Sequence, residues 1–177
     1  LNQIQVIGSH NSYKNAIEPA LYKAISAKDT ANRLSGLEYE HIAITKQLDM
    51  GLRNLEIDIY ADTKGGKYAH PKGLDLAKPD QPYDPDGVMN KPGFKVFHVT
   101  DIDFRSSSLT FEDILLKLKT WSDAHPGHIP VFITLEPKDG EKNRFGTEPE
   151  MFTTQLFDEV DAVIRKNLGN DKLITPD

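Results

Sequence analysis

No stretch of this chain constrains its fold more than Leu55-Glu56-Ile57-Asp58-Ile59. Apolar and acidic residues alternate there without a break. In a strand, successive side chains point to opposite faces, so Leu55, Ile57 and Ile59 share one face and Glu56 and Asp58 the other. The solvated face of a half-buried strand also alternates, but more usually with Lys or Thr. Two acids two residues apart, with no base between them, repel unless a proton or a cation neutralises them. Apolar flanks point to a central strand, where carboxylates need a partner. The stretch reads as half of a cation site, against the plainer alternative of a solvated acidic face.

The rest of the sequence narrows what surrounds that strand. A length of 177 residues fits one domain with a sizeable core. A net charge of -6, with no Lys/Arg-rich run, excludes a nucleic-acid partner and argues against a strong electrostatic hold on anionic membranes. There is no cysteine, which removes disulfides, thiolate zinc sites and a cysteine nucleophile. No apolar run approaches the ~20 residues of a spanning helix. The chain opens almost inside a strand, Ile4–Ile7, as a mature form trimmed of a leader would.

Read in order, Ile4–Ile7 predicts a first strand, followed by the polar loop Gly8-Ser9-His10-Asn11-Ser12. Pro19–Lys28 predicts a helix with Pro19 in its first turn and Leu21 and Ile25 buried. A second helix is expected over about Glu40–Met50, with Ile42, Ile44 and Leu48 inward and Gly51 as its cap. Leu52–Tyr60 is the second strand. Residues 61–94 are dense in Pro and Gly and predict a substrate-side loop without helix or central strand. Lys95–Val99 is the third strand. Thr110 caps a helix through Trp121, Ile129–Glu136 is the fourth strand, and Thr147 or Glu148 opens a last helix that Gly169 ends. Leu173-Ile174-Thr175-Pro176 leads towards another element. Strands alternating with helices imply parallel pairing.

Four strands end in residues suited to chemistry: His10-Asn11, Glu56 with Asp58, His98, and Glu136. In α/β barrels and open α/β sheets, sites lie at such strand ends. Asn11, Glu56, Asp58 and Glu136 are hard oxygen ligands suited to Ca2+ or Mg2+, with Ca2+ favoured where several protein oxygens bind directly. His10 and His98 are then free for acid–base work, against the alternative of hydrogen-bonded structural histidines. His125 and His128 flank Pro126-Gly127 and read as capping or surface residues. Lys138 is suited either to pair with Glu136 or to meet a substrate phosphate. Two histidines beside a hard cation fit phosphodiester cleavage.

At Gly8-Ser9-His10-Asn11-Ser12-Tyr13, Gln47-Leu48-Asp49, Gly51-Leu52-Arg53, Leu55-Glu56-Ile57-Asp58, Phe97-His98-Val99, Asp101-Ile102-Asp103-Phe104, Trp121–His128 and Leu135-Glu136-Pro137-Lys138, the sequence resembles the calcium-dependent phosphoinositide phospholipase C family. The resemblance implies a TIM-type (β/α) barrel, Ca2+, and cleavage of the glycerol-phosphate bond of a phosphatidylinositol lipid at a peripheral membrane surface. It implies that His10 stabilises the transition state or assists attack of the inositol 2-hydroxyl, that His98 protonates the leaving diacylglycerol, and that Asn11, Glu56, Asp58 and Glu136 hold Ca2+. Glu56 and Glu136 are the candidate general bases, and Lys138 a substrate contact. A secreted or periplasmic location follows from the same reading.

Such a barrel typically needs ~250 residues, and about four strands fall within 1–177. The expectation is therefore the amino-terminal half of a barrel, which would self-associate or pair with a missing half. Two alternatives differ in chemistry. A glycerophosphodiester phosphodiesterase would attack with water or a glycerol hydroxyl. A non-catalytic, metal-stabilised module would bind without turnover.

Overall fold

The computed structural model describes residues 3–79, 82–140 and 146–175. Its spine is strand β2, Asn54–Asp62, which has a partner on each edge. On one edge lies β1, Gly8–Ser9, parallel, with Gly8 opposite Asn54 and Ser9 opposite Leu55. The two backbones approach so closely that a Cβ on Gly8 would sit 2.6 Å from the Asn54 carbonyl oxygen. Only glycine fits there, and the polar loop that follows is thereby drawn against β2. The other edge takes β4, Phe132–Pro137, also parallel, from Asn54 opposite Phe132 to Ile59 opposite Pro137. A short β3, Gly93–Lys95, runs antiparallel against Tyr60–Asp62. The fold is thus mixed α/β with a parallel sheet at its centre.

The alternation in β2 sorts the layers. Leu55, Ile57 and Ile59 are fully buried in a core shared with helices α2 (Ile44–Asp49), α4 (Phe111–Ala124) and α5 (Thr154–Leu168). Those helices contribute Ile44, Leu48, Ile114, Leu115, Trp121, Leu156 and Val160. Burial of this apolar surface drives the sheet–helix packing, at ~25 cal/mol per Å2. Thr110 caps α4 by accepting a hydrogen bond from the Asp113 N–H at 3.3 Å. Gly51, at φ +99, ends α2 in a conformation that L side chains avoid.

A second core joins Leu21 and Ile25 of α1 (Pro19–Ser26) to Tyr60, Tyr68, Tyr83, Met89, Phe97 and Phe104. Tyr60 stacks on Phe97 with ring centroids 4.1 Å apart, and Tyr68 meets Phe97 edge-on at 5.1 Å.

Several expectations are corrected. No strand forms at Ile4–Ile7; Ile7 is 75% exposed, and pairing begins only at Gly8. α2 starts at Ile44 because the His41 N–H is taken by the Lys14 carbonyl at 2.9 Å, holding residues 40–43 out of the helix and leaving Ile42 exposed. The third strand is antiparallel rather than parallel and ends at Lys95, so His98 lies beyond it. The 61–94 segment contains a four-residue helix, α3 (Leu74–Ala77), and a 3-10 turn at Val88–Asn90. It packs its own tyrosines inward instead of standing free, while residues 80 and 81 lie outside the described residues. α5 begins at Thr154, capped by Thr153. The preceding stretch is pinned outside the helix: Thr63 N–H donates to Glu150 Oε2 at 3.2 Å and Phe152 N–H to Asp139 Oδ2 at 3.1 Å. Pro176 also lies outside the described residues.

Candidate active site

The parallel register decides which side chains meet. Asp58 is opposite Glu136, and Glu56, two residues earlier on β2, shares the same face. Carboxylate oxygens of Glu56, Asp58 and Glu136 all lie within 4.8 Å of one another. Asp58 is 0% exposed. Burial, with the nearby charges of Glu56 and Glu136, pushes its carboxyl up to about 7, against the pull of Lys138 and of the Tyr13 hydroxyl. The Lys138 ammonium stands 2.9 Å from Glu136 Oε1 and 3.4 Å from Asp58 Oδ2. That contact holds Glu136 below the usual carboxylate range. Lys138 itself is held above its ordinary value: burial opposes this, and its contacts with Glu136 and Asp58 outweigh burial.

The loop after β1 closes against this cluster. Asn11 adopts φ +50, a left-handed conformation that asparagine tolerates better than most residues. Its N–H then donates to Glu56 Oε2 at 2.6 Å. Its side chain is buried: Oδ1 accepts from the Tyr13 hydroxyl at 3.0 Å, and Nδ2 donates to the Tyr39 hydroxyl at 2.7 Å. Ser12 Oγ accepts from the Glu56 N–H at 3.0 Å, and Gln47 Nε2 donates to the Ser12 carbonyl at 2.7 Å, so helix α2 braces the loop. His10 is exposed at the rim, close enough to Glu136 to contribute to its lowering. His98 lies three residues past the end of the antiparallel β3. Tyr60 donates its hydroxyl proton to the His98 carbonyl at 2.8 Å, and Asp103 Oδ2 lies 2.8 Å from His98 Nδ1.

With all three carboxylates ionised, one ammonium leaves two negative charges uncompensated. Glu56 Oε1 and Asp58 Oδ1 are buried without a hydrogen-bond partner, and Asp58 Oδ2 has only the ion pair with Lys138 at 3.4 Å. Buried carboxylate oxygens without partners are costly, and a hard divalent cation satisfies both the charge and the lone pairs. The donor set therefore fits Ca2+, with Asn11 adjoining through the loop that Glu56 anchors.

The structure brings Glu56, Asp58, Glu136 and Lys138 together, with Asn11 bonded to Glu56 and His10 at the same rim. His125 and His128 take the plainer role expected of them: His125 Nδ1 lies 2.7 Å from the Trp121 carbonyl, and both rings pack on Trp121. Sequence reasoning missed Tyr13, Lys14, Tyr39 and Asp103. Asp103 lies within a segment quoted for the family resemblance, five residues from His98, and that spacing was the available signal. A buried lysine such as Lys14 has no sequence signature.

A family model described as phosphoinositide phospholipase C, Ca2+-dependent, matches residues 1–177. A comparison with curated proteins found no match. Among solved structures, the chain is similar to a calcium-dependent phosphoinositol-specific phospholipase C from a Gram-negative bacterium, Pseudomonas sp., in its apo form with myoinositol. Identity is 22% and the TM-score 0.49, covering 99% of this chain and 44% of that one. Two further crystal forms of the apo protein match at 19% identity, with TM-scores of 0.49 and 0.47. The chain spans less than half the length of these structures.

Proposed function

The chain belongs to the Ca2+-dependent phosphoinositide phospholipase C family, and from that premise we propose that it is the amino-terminal part, residues 1–177, of a phospholipase C barrel acting on phosphatidylinositol lipids. The observation that carries the proposal is the convergence of Glu56, Asp58 and Glu136 within 4.8 Å on adjacent parallel strands. A TIM-type half-barrel accounts for parallel β1, β2 and β4 with α2, α4 and α5 packed on one face. The proposal includes a secreted or periplasmic setting, action at a peripheral membrane surface, and self-association or pairing with the remaining half of the barrel. No helix among the described residues is long and apolar enough to cross a membrane.

Glu56, Asp58 and Glu136, with Asn11 beside them, hold the cation in this reading. When bound, Ca2+ supplies charge neutralisation at the phosphate and lowers the pKa of the attacking hydroxyl. The chain's own groups do the rest. Glu56 or Glu136 accepts the proton of the inositol 2-hydroxyl as its oxygen bonds to phosphorus. His10, at the rim, stabilises the charge that develops on the phosphate. The bond from phosphorus to the glycerol oxygen breaks, and His98 protonates that oxygen as diacylglycerol leaves. Lys138, beside Glu136 and Asp58, would face the phosphate as a point charge.

Two measurements test this. Calorimetric titration should show one Ca2+ site that prefers Ca2+ over Mg2+ and is lost in Glu56→Gln. Product mapping on phosphatidylinositol should show a cyclic inositol phosphate with Ca2+ and none with a chelator. Free glycerophosphate without inositol phosphate, or an unchanged calcium titration in Glu56→Gln, overturns the proposal.

A further inference from the structure

Away from the carboxylate cluster lies a second buried group of charges. Lys14 and Asp103 side chains are each 0% exposed, with Lys14 Nζ 3.3 Å from Asp103 Oδ1. Asp103 Oδ2 lies 2.8 Å from His98 Nδ1. Lys14 also donates to the carbonyls of Leu37 at 3.0 Å and Tyr39 at 2.7 Å, which locks its ammonium in place. Backbone bonds hold the other end of the chain of contacts. The Asp103 carbonyl accepts from the His98 N–H at 3.1 Å and the Val99 N–H at 3.0 Å.

Burying an ion pair costs desolvation that a well-packed apolar pair avoids, so packing alone does not account for Lys14 and Asp103. Their polarity does one thing an apolar pair cannot. An ammonium only donates and an ionised carboxylate only accepts. The order is therefore fixed by charge: the Lys14 ammonium faces Asp103 Oδ1 as an ion pair, that oxygen having no hydrogen bond, and Oδ2 accepts the proton on His98 Nδ1. Among the described residues Nε2 of His98 has no hydrogen-bond partner.

We propose that Lys14 and Asp103 are positioning residues that fix the tautomer and direction of the His98 ring, making Nε2 the nitrogen that exchanges its proton. The use of that nitrogen rests on the phospholipase reading; the tautomer does not. As imidazolium, His98 gives the Nε2 proton to the departing alkoxide, and the N–H electron pair stays on Nε2. The neutral ring left behind carries its remaining proton on Nδ1, where Asp103 accepts it.

Nitrogen-15 NMR of the His98 ring, at a pH where the ring is neutral, tests the assignment. The expected spectrum shows a protonated Nδ1 and a bare Nε2. In Asp103→Asn the amide oxygen must face Lys14, because lysine cannot accept. The amide NH2 is then turned to Nδ1, and the ring proton is expected to move to Nε2. In the double variant Lys14→Met/Asp103→Asn the amide is free to turn, and the Nδ1 proton is expected to return. A wild-type ring protonated on Nε2, or an Asp103→Asn ring still protonated on Nδ1, overturns the proposal. Persistence of the Nε2 proton in the double variant removes Lys14 from it. Should either variant fail to fold, the wild-type spectrum alone decides. A tautomer as expected, together with full turnover in His98→Ala, would overturn the phospholipase mechanism and leave the positioning assignment standing.

Discussion

Asp58 and Glu136 are register partners on adjacent parallel strands, and one ammonium, that of Lys138, touches both. Like charges placed opposite one another destabilise a sheet. This pair is the fifth of six along the longest ladder in the described sheet, and the fold tolerates it only through neutralisation. Lys138 supplies part of that, and the proton that burial drives onto Asp58 supplies more. The arrangement is charged for a ligand stronger than either.

Stability without calcium should therefore fall as the pH rises through about 7. Asp58 is raised in the folded state from its ordinary value of 3.8, so the folded chain holds that proton more tightly than the unfolded one. The resulting stabilisation is complete below about pH 4 and is lost as pH climbs through about 7. Asp58→Asn should remove this slope and, near pH 8 with chelator present, raise stability by roughly 0.5–1 kcal/mol, the scale of relieving an opposed like-charge pair. Calcium should raise the wild-type melting temperature more at pH 8 than at pH 6, because it competes with the proton. Thermal melts across that range check all three statements, and a parallel slope in Asp58→Asn would assign it to other groups.

Much of this was legible in the sequence, for reasons tied to particular residues. Period-two alternation needs no tertiary knowledge, so the faces of Leu55–Ile59 and the convergence of Glu56, Asp58 and Glu136 followed from pattern and family resemblance together. Thr110, Gly51 and Pro19 marked helix ends by local chemistry. What failed depended on contacts distant in sequence. The helix start at Thr154 is set by Thr63 and Asp139, and that at Ile44 by Lys14. Tyr68 and Tyr83 sit in a Pro- and Gly-rich stretch whose composition hides that they stack into a core. Lys14 and Asp103 pair 89 positions apart, and no local signal announces a buried ion pair.

Lys138 both occupies the cation cluster and is available to a phosphate, which gives a prediction with a clear sign. Lys138→Met removes a positive charge that competes with calcium. Affinity for Ca2+ should rise on the order of tenfold, or about 1.4 kcal/mol, while the calcium-free protein loses stability. Calorimetric titration reads the first and chelator melts the second. An affinity that falls would mean that Lys138 organises the ligands instead of displacing the ion.

His10→Ala and His98→Ala should each lower turnover of phosphatidylinositol by at least roughly 10²-fold, as loss of acid–base groups does. Calcium affinity should be unchanged in both, since neither imidazole belongs to the carboxylate cluster. Rates and calorimetric titrations on the same preparations separate the two effects. A variant retaining near-normal turnover removes its histidine from the mechanism.

The outer edges of the sheet carry the remaining prediction. β1 and β4 each pair with β2 on one side only, and no described strand covers their other edges. Beside β1, Ile7, Ile42 and Met50 are 75%, 52% and 71% exposed. Beside β4, a cleft of about 660 Å3 opens among residues including Leu118, Val131, Ile133, Leu135, Leu168 and Ile174. Open strand edges next to apolar surface are templates for pairing with another chain. The 177-residue chain should therefore sediment as a concentration-dependent mixture. Charge placed at an edge should oppose this without touching the core, since Ile7 and Met50 are mostly solvent-facing. Ile7→Lys with Met50→Glu should shift the distribution towards monomer and leave the calcium titration intact. A chain that stays monomeric at all concentrations would show that these edges do not drive association.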